Sequence, residues 1–344
     1  MLMKTLYIIG NGFDLHHRLD TSYKSFGLFL KAEYSTLYDQ LLEFFGLPDL
    51  SVSDFDVDPL WKDFEHSLSL LDVDTVFDEH SNYLANPSSS GFRDRDWHAF
   101  EIEMERVVDD LTSKLFEAFR KFILNVKYPS PCNIEGALSL NRHSHYLSFN
   151  YTNTLQKYYS IPNAQITYIH GEARDNEIIL GHGVDPQSFV PKEPIAPEGL
   201  NDEEYERWYE YMSDQYDYSF ESGKSALQTY FSKSFKSTQD IIISYTDFFE
   251  AASNVEQVYI LGHSLSDVDL PYFKKIFSSA RNLKNITVTY YSDWEFLSHK
   301  KTLIALGVSE NKINLVKINS LKKPSLWSYL IQSIFNFINN RKNV

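Results

Sequence analysis

The sequence predicts an α/β fold: a mostly parallel sheet with crossover helices, carrying large helical insertions. Three observations predict it. Short apolar runs of β-forming residues end in glycine or small polar residues, as strands buried on both faces of a parallel sheet do. These runs alternate with helical patterns, the order that crossover connections require. Two long helical stretches then interrupt the alternation.

The elements follow in chain order. Residues 6–9 form a continuous apolar run closed by Gly10, and residues 258–262 form a comparable run near the other end. Strands are expected at 145–149, 166–169 and 177–180 in the middle, and at 285–291 and 313–318 beyond. The first helical stretch covers about 23–126. Its last part places Phe100, Met104, Val107, Val108, Leu111, Leu115, Phe119 and Leu124 near helical spacing, a core-facing stripe. Residues 88–91, Ser-Ser-Ser-Gly, read as a loop tip, and Pro191, Pro194 and Pro197 mark a loop before the second stretch. That stretch, about 202–249, opens with an acidic, tyrosine-rich run that reads as a solvated face. The expected core is therefore 1–22, 143–190 and 250–344, with insertions at 23–142 and 191–249. Insertions of this kind commonly cap a ligand cleft.

Composition bounds the function classes. The 344 residues are 43% hydrophobic, 15% aromatic and 23% charged, enough to bury a large core. The net charge of −15 repels a phosphate backbone, so duplex nucleic acid is not an expected partner. The pairs Lys274-Lys275 and Lys322-Lys323 are most simply solvated surface. The one cysteine, Cys132 between Pro131 and Asn133, excludes an intrachain disulfide and a multi-cysteine zinc site. The N-terminal apolar run is too short for a signal peptide, and no stretch approaches the ~18 apolar residues of a membrane span. A cytoplasmic chain without a membrane partner is expected.

Four segments carry chemistry. In Gly10-Asn11-Gly12-Phe13-Asp14, a strand ends in Gly-x-Gly before a helix, which lets backbone N–H groups approach a phosphate or ribose. The third glycine of the dinucleotide fingerprint is replaced by Leu15, so alone the motif is also an ordinary tight turn. Asp14 is open to three roles: contacting a ribose hydroxyl, capping the following helix, or orienting a water. Of His16 and His17, one is open to facing the cleft, though a surface histidine is the simpler account. In Ser148-Phe149-Asn150-Tyr151-Thr152, Asn150 offers a donor and an acceptor for a ribose or water; its simpler account, shared with Thr152, is a turn or helix cap. His170, at a strand end before Gly171, is well placed as a general base, but His182 in Gly181-His182-Gly183 is equally eligible on chemistry alone. In Gly262-His263-Ser264-Leu265-Ser266-Asp267-Val268-Asp269, hydroxyl, imidazole and carboxylate groups follow a strand; here the simpler account is a helix cap before Pro271. Metal binding by His170, His263, Asp267 and Asp269 fits no standard spacing.

Taken together and in this order, these segments resemble the AbiH family of bacteriophage abortive-infection proteins, through nearly the whole chain. They also resemble, distantly, the sirtuin-like NAD-binding fold, a Rossmann-like sheet. The resemblance implies a nucleotide turn at Gly10, Asn11, Gly12, Phe13 and Asp14. It implies that Asn150 positions the ribose and the attacking water, and that His170 is the general base. Gly262, His263, Ser264 and Asp267 would complete the nucleotide contacts. The 20 residues between Asn150 and His170 suit a strand–helix–strand passage. Three positions depart from the sirtuin-like pattern: Asn11 replaces an alanine, Asp14 stands where a small hydroxyl residue is expected, and Thr152 stands where an aspartate is. The four-cysteine zinc module of deacylating sirtuins is missing.

The resemblance thus implies an anti-phage effector that binds NAD and hydrolyses its nicotinamide–ribose bond, without a metal. Two alternatives are a non-catalytic nucleotide sensor and a metal-dependent nuclease or phosphohydrolase. A nucleotide ligand is the expected partner; a phage-derived trigger and a homo-oligomer are left open.

Overall fold

Thr5–Ile9 forms the strand β1, at the centre of a six-stranded sheet in a computed structural model. The structure describes residues 3–51, 59–130, 136–175, 178–192 and 194–322. Cys132, Glu177 and Lys323 lie outside the described residues. The other strands are β2 (His145–Ser148), β3 (Ile166–Tyr168), β4 (Gln257–Leu261), β5 (Asn285–Tyr290) and β6 (Ile313–Lys317). The spatial order is β3-β2-β1-β4-β5-β6 and every pairing is parallel, as the sequence predicts.

Burial follows position in the sheet. Leu6, Ile8 and Ile9 of β1 are essentially unexposed, because both faces of a central parallel strand are covered. The edge strands β3 and β6 are only half-buried. Register aligns Tyr146, Tyr7 and Tyr259 on neighbouring strands, and their rings stack at 4.9 and 4.8 Å. This aromatic ladder sits in a core with Phe13, Leu155, Tyr159 and Ile161.

One expected strand is not there. Residues 178–180 form no strand. Instead His182 makes an isolated parallel bridge with Phe235, because His182 N donates to Ser234 O and Lys236 N donates to His182 O.

The chain divides into two compact units. The sheet unit is Met1–Thr21, Ile123–Glu177 and Gln239–Val344; the helical unit is Ser22–Phe122 and Ile178–Thr238. Within the helical unit, Ala99–Asp109 packs against Tyr218–Lys233. The expected apolar stripe is buried from Phe100 to Phe119, whereas Leu124 is exposed. Helical phase turns Phe122 and Ile123 inward after Phe119 and carries Leu124 outward. The unit also holds a partly buried ion pair: the buried Lys236 has its Nζ 2.7 Å from Oε2 of half-buried Glu65, and the Tyr23 hydroxyl donates to Glu65 Oε1 at 2.7 Å. Among the described residues, no helix is long and apolar enough to cross a membrane.

Candidate functional site

The strand order reverses beside β1. The chain runs outward from β1 to β2 and β3, then returns to β4 on the other side of β1. In open α/β sheets, ligands bind at the carboxyl ends of strands at such a switch point. The loops that follow β1, β2, β3 and β4 carry the four segments singled out in the sequence.

Backbone meets backbone at the ends of β1 and β4. Gly10 N donates to Leu261 O at 3.0 Å, and Gly12 N donates to Gly262 O at 2.7 Å. A Cβ on Gly12 would lie 2.9 Å from Gly262 Cα; a Cβ on Gly262 would lie 2.1 Å from Phe13 N. Gly262 also has a φ of +64°, a conformation that favours glycine. The glycines therefore serve close approach of two loops. The expectation that this turn offers its N–H groups to a phosphate is corrected at three positions. The N–H groups of Gly10 and Gly12 are spent on β4 and its loop, and Phe13 N donates to Gly10 O at 2.9 Å.

The other residues of the first segment also face inward. Asn11 and Thr21 are doubly bonded, Asn11 Nδ2 donating to Thr21 O at 2.9 Å and Thr21 Oγ1 donating to Asn11 Oδ1 at 2.6 Å. The Phe13 ring lies in the core against His17. His17 is neither on the surface nor in a cleft. It is buried, with Nδ1 2.6 Å from Phe13 O and Nε2 2.5 Å from the Tyr159 hydroxyl, and burial pushes its pKa down to about 4. His16 Nε2 lies 3.0 Å from Gly136 O.

Asp14 is 1% exposed and does not cap its helix. Thr152 Oγ1 donates to its Oδ2 at 2.6 Å, while its Oδ1 is buried without a hydrogen-bond partner. Burial pushes the carboxyl pKa up to about 6, against the pull of the Thr152 hydrogen bond and of the nearby Thr154 and Asn150 side chains. Tyr128, Tyr158 and Tyr168 lie close enough for its charge to help raise their own pKa values, after burial as the main cause. Thus two departures from the sirtuin-like pattern, Asp14 and Thr152, are hydrogen-bonded to each other.

The cap accounts fail elsewhere too. The helix Thr154–Tyr159 begins after Asn153 without a side-chain cap. Asn150 Nδ2 instead donates to Gly10 O at 3.1 Å, linking the loops after β1 and β2. The helix Leu270–Ser279 likewise lacks a side-chain cap at Asp269. That carboxylate instead lies between two imidazoles: His170 Nε2 is 3.8 Å from Oδ1 and His263 Nε2 is 3.5 Å from Oδ2. Leu265 N donates to His263 Nδ1 at 2.9 Å, so the proton of the neutral ring sits on Nε2 and faces Asp269. Leu265 makes this bond from a left-handed φ of +56°, which costs a residue with a Cβ roughly 1–2 kcal/mol. The Phe149 ring meets both imidazoles edge-on, at 4.4 Å from His263 and 5.2 Å from His170.

Ser264 and Asp267 are exposed, in contrast to buried His263 and Asp269. His182, the other histidine eligible as a base, belongs to the helical unit, is fully buried, and accepts from Val184 N at 3.3 Å through Nδ1. Among the described residues, no group of three His, Cys, Asp or Glu side chains is arranged to hold a metal ion.

Sequence reasoning missed several supporting residues. For Asp269 the sequence offers a helix cap or a metal ligand, and not a carboxylate set between two imidazoles. Thr289, on β5, accepts from Gly262 N at 2.8 Å and fixes the crossing. His299 is buried, and its contact with the Ser264 backbone had no sequence signal.

Comparison with curated proteins gives no match. The family described as bacteriophage abortive infection AbiH matches residues 6–291, a span that takes in the segments after β1, β2, β3 and β4. The chain therefore belongs to the bacteriophage abortive infection AbiH family, with a role in phage abortive infection.

Proposed function

We propose that the chain is an abortive-infection effector that binds NAD at the switch point of the sheet and hydrolyses its nicotinamide–ribose bond. The observation that carries this reading is the pairing of His170 with Asp269 beside the loop that holds Asn150. A carboxylate behind an imidazole stabilises the imidazolium that forms when the ring accepts a proton.

The chemistry balances on these residues. The bond between the anomeric carbon and the nicotinamide nitrogen breaks, and nicotinamide leaves with the bonding electrons. Water adds to the resulting oxocarbenium-like carbon, and its proton passes to His170. Asn150 positions the ribose and the water. Because Gly10, Gly12 and Phe13 have spent their N–H groups, the diphosphate is held by other groups. A phage-derived trigger fits the family role.

The test is nicotinamide release from NAD by purified protein, with and without lysate of phage-infected cells. Turnover by the wild type and a loss of at least about a hundredfold in His170→Ala are expected. Equal release by the two proteins, or none by the wild type under either condition, would sink the proposal.

A second reading is a nucleotide sensor without turnover. It requires NAD binding in a calorimeter and no nicotinamide release.

A further inference from the structure

Asp14 is a carboxylate that the fold does not fully use. Its Oδ2 accepts from Thr152 Oγ1 at 2.6 Å, and its Oδ1 is buried without a donor. Among the described residues it has no Lys, Arg or His partner. Buried polar groups in native proteins are overwhelmingly satisfied, so each exception calls for an explanation. A carboxylate kept in such a place, directly behind the switch-point turn, is a mark of function rather than of stability.

The surroundings restrict what could complete it. An ionised carboxylate only accepts, so the missing partner is a donor. A phosphate is excluded, because it carries the same charge into the same low-dielectric space. The neighbouring groups are hydroxyls and an amide: Thr152 and Thr154 have their Oγ1 atoms 3.0 Å apart, and Asn150 is near enough to favour the ionised carboxyl. Asn150 spends one N–H on Gly10 O, which leaves its amide a second N–H and a carbonyl. An acceptor beside a mixed donor–acceptor amide matches two adjacent hydroxyls.

We propose that Asp14 is a specificity-determining residue: Oδ1 accepts from the 2′-hydroxyl of the nicotinamide ribose while the Asn150 amide bonds the 3′-hydroxyl. The site thereby takes ribose-bearing nucleotides and discriminates against their 2′-deoxy counterparts. This rests on the nucleotide reading above and adds the feature of the ligand that is read.

Calorimetry on the full chain tests it with two probes, NAD and NAD lacking the 2′-hydroxyl of its nicotinamide ribose. The wild type binds the deoxy probe at least about tenfold more weakly, the loss expected for one hydrogen bond to a charged group. Asp14→Asn, nearly isosteric, binds NAD about tenfold more weakly than the wild type and treats both probes alike within about twofold. Equal binding of both probes by the wild type overturns the proposal, and that comparison needs no variant to fold. Undiminished discrimination by Asp14→Asn also overturns it. Either result, with NAD bound, leaves the nucleotide reading standing. Failure of the wild type to bind NAD at all removes both.

Discussion

Two carboxylates, one in each unit, are withdrawn from water in opposite ways. Glu65 in the helical unit has Lys236 Nζ at 2.7 Å on one oxygen and the Tyr23 hydroxyl at 2.7 Å on the other. Asp14 in the sheet unit has one donor, no cation among the described residues, and an unmet oxygen. The first arrangement is complete and holds helices and loops together. The second is incomplete, and its folded form carries the cost of a buried charge. Complete satisfaction marks structure here, and the missing bond is the one that the proposed ribose contact would complete.

Breaking the complete pair has the largest effect. Lys236→Met leaves Glu65 without its cation and is expected to lower the unfolding free energy by about 3 kcal/mol. Chemical denaturation measures this, and a change below about 0.5 kcal/mol would place the pair among weak surface bridges.

Asp14→Asn works in the other direction. The folded carboxyl has its pKa raised from 3.8 to about 6, so folded and unfolded chains are both protonated below about pH 4. Between about pH 4 and 6 the unfolded chain releases its proton first, and the wild type loses stability as pH rises. Above about pH 6 the cost is constant, on the order of 2–3 kcal/mol. Asp14→Asn lacks this titration and is expected to be the more stable protein at pH 8, with the advantage shrinking toward pH 4. A loss of stability at pH 8 would assign Asp14 to the same class as Glu65.

Thr152→Val gives the smallest effect. It removes the one hydrogen-bond donor to Asp14 Oδ2, at a cost of about 1–2 kcal/mol, and moves the carboxyl pKa further up. The stability loss between pH 4 and neutrality therefore extends to higher pH than in the wild type. An unchanged pH profile would show that Thr152 does not hold the carboxylate in solution.

The sheet was legible because parallel strands buried on both faces must be apolar throughout, and β1, β4, β5 and β6 each show such a run or a β-branched one. Residues 178–180 imitate this pattern yet form no strand. Periodicity alone does not separate those cases. The loops were legible as positions and not as partners. Gly10 and Gly12 read correctly as a place where side chains are not tolerated, yet what approaches them is Gly262, 250 residues after Gly12, and no local pattern names it. Asp14 and Thr152 each looked like a departure when read singly; a separation of 138 positions hid the hydrogen bond that joins them. Asp267 and Asp269 stand two apart, and a 3₁₀ turn directs the first outward and the second toward His170 and His263. That distinction depends on tertiary placement.

The glycine crossing also bears on how such a site changes over generations. A contact between two side chains can drift, because a larger residue on one side is offset by a smaller one on the other. At Gly12 and Gly262 there is nothing left to shrink, so neither position offers a compensating partner for a change in the other. Variation in this region is channelled instead to the side chains set around the fixed crossing. Asp14 and Thr152 are such a pair: a carboxylate and a hydroxyl in hydrogen-bond contact, whose chemistry can change while the backbone beneath them stays still.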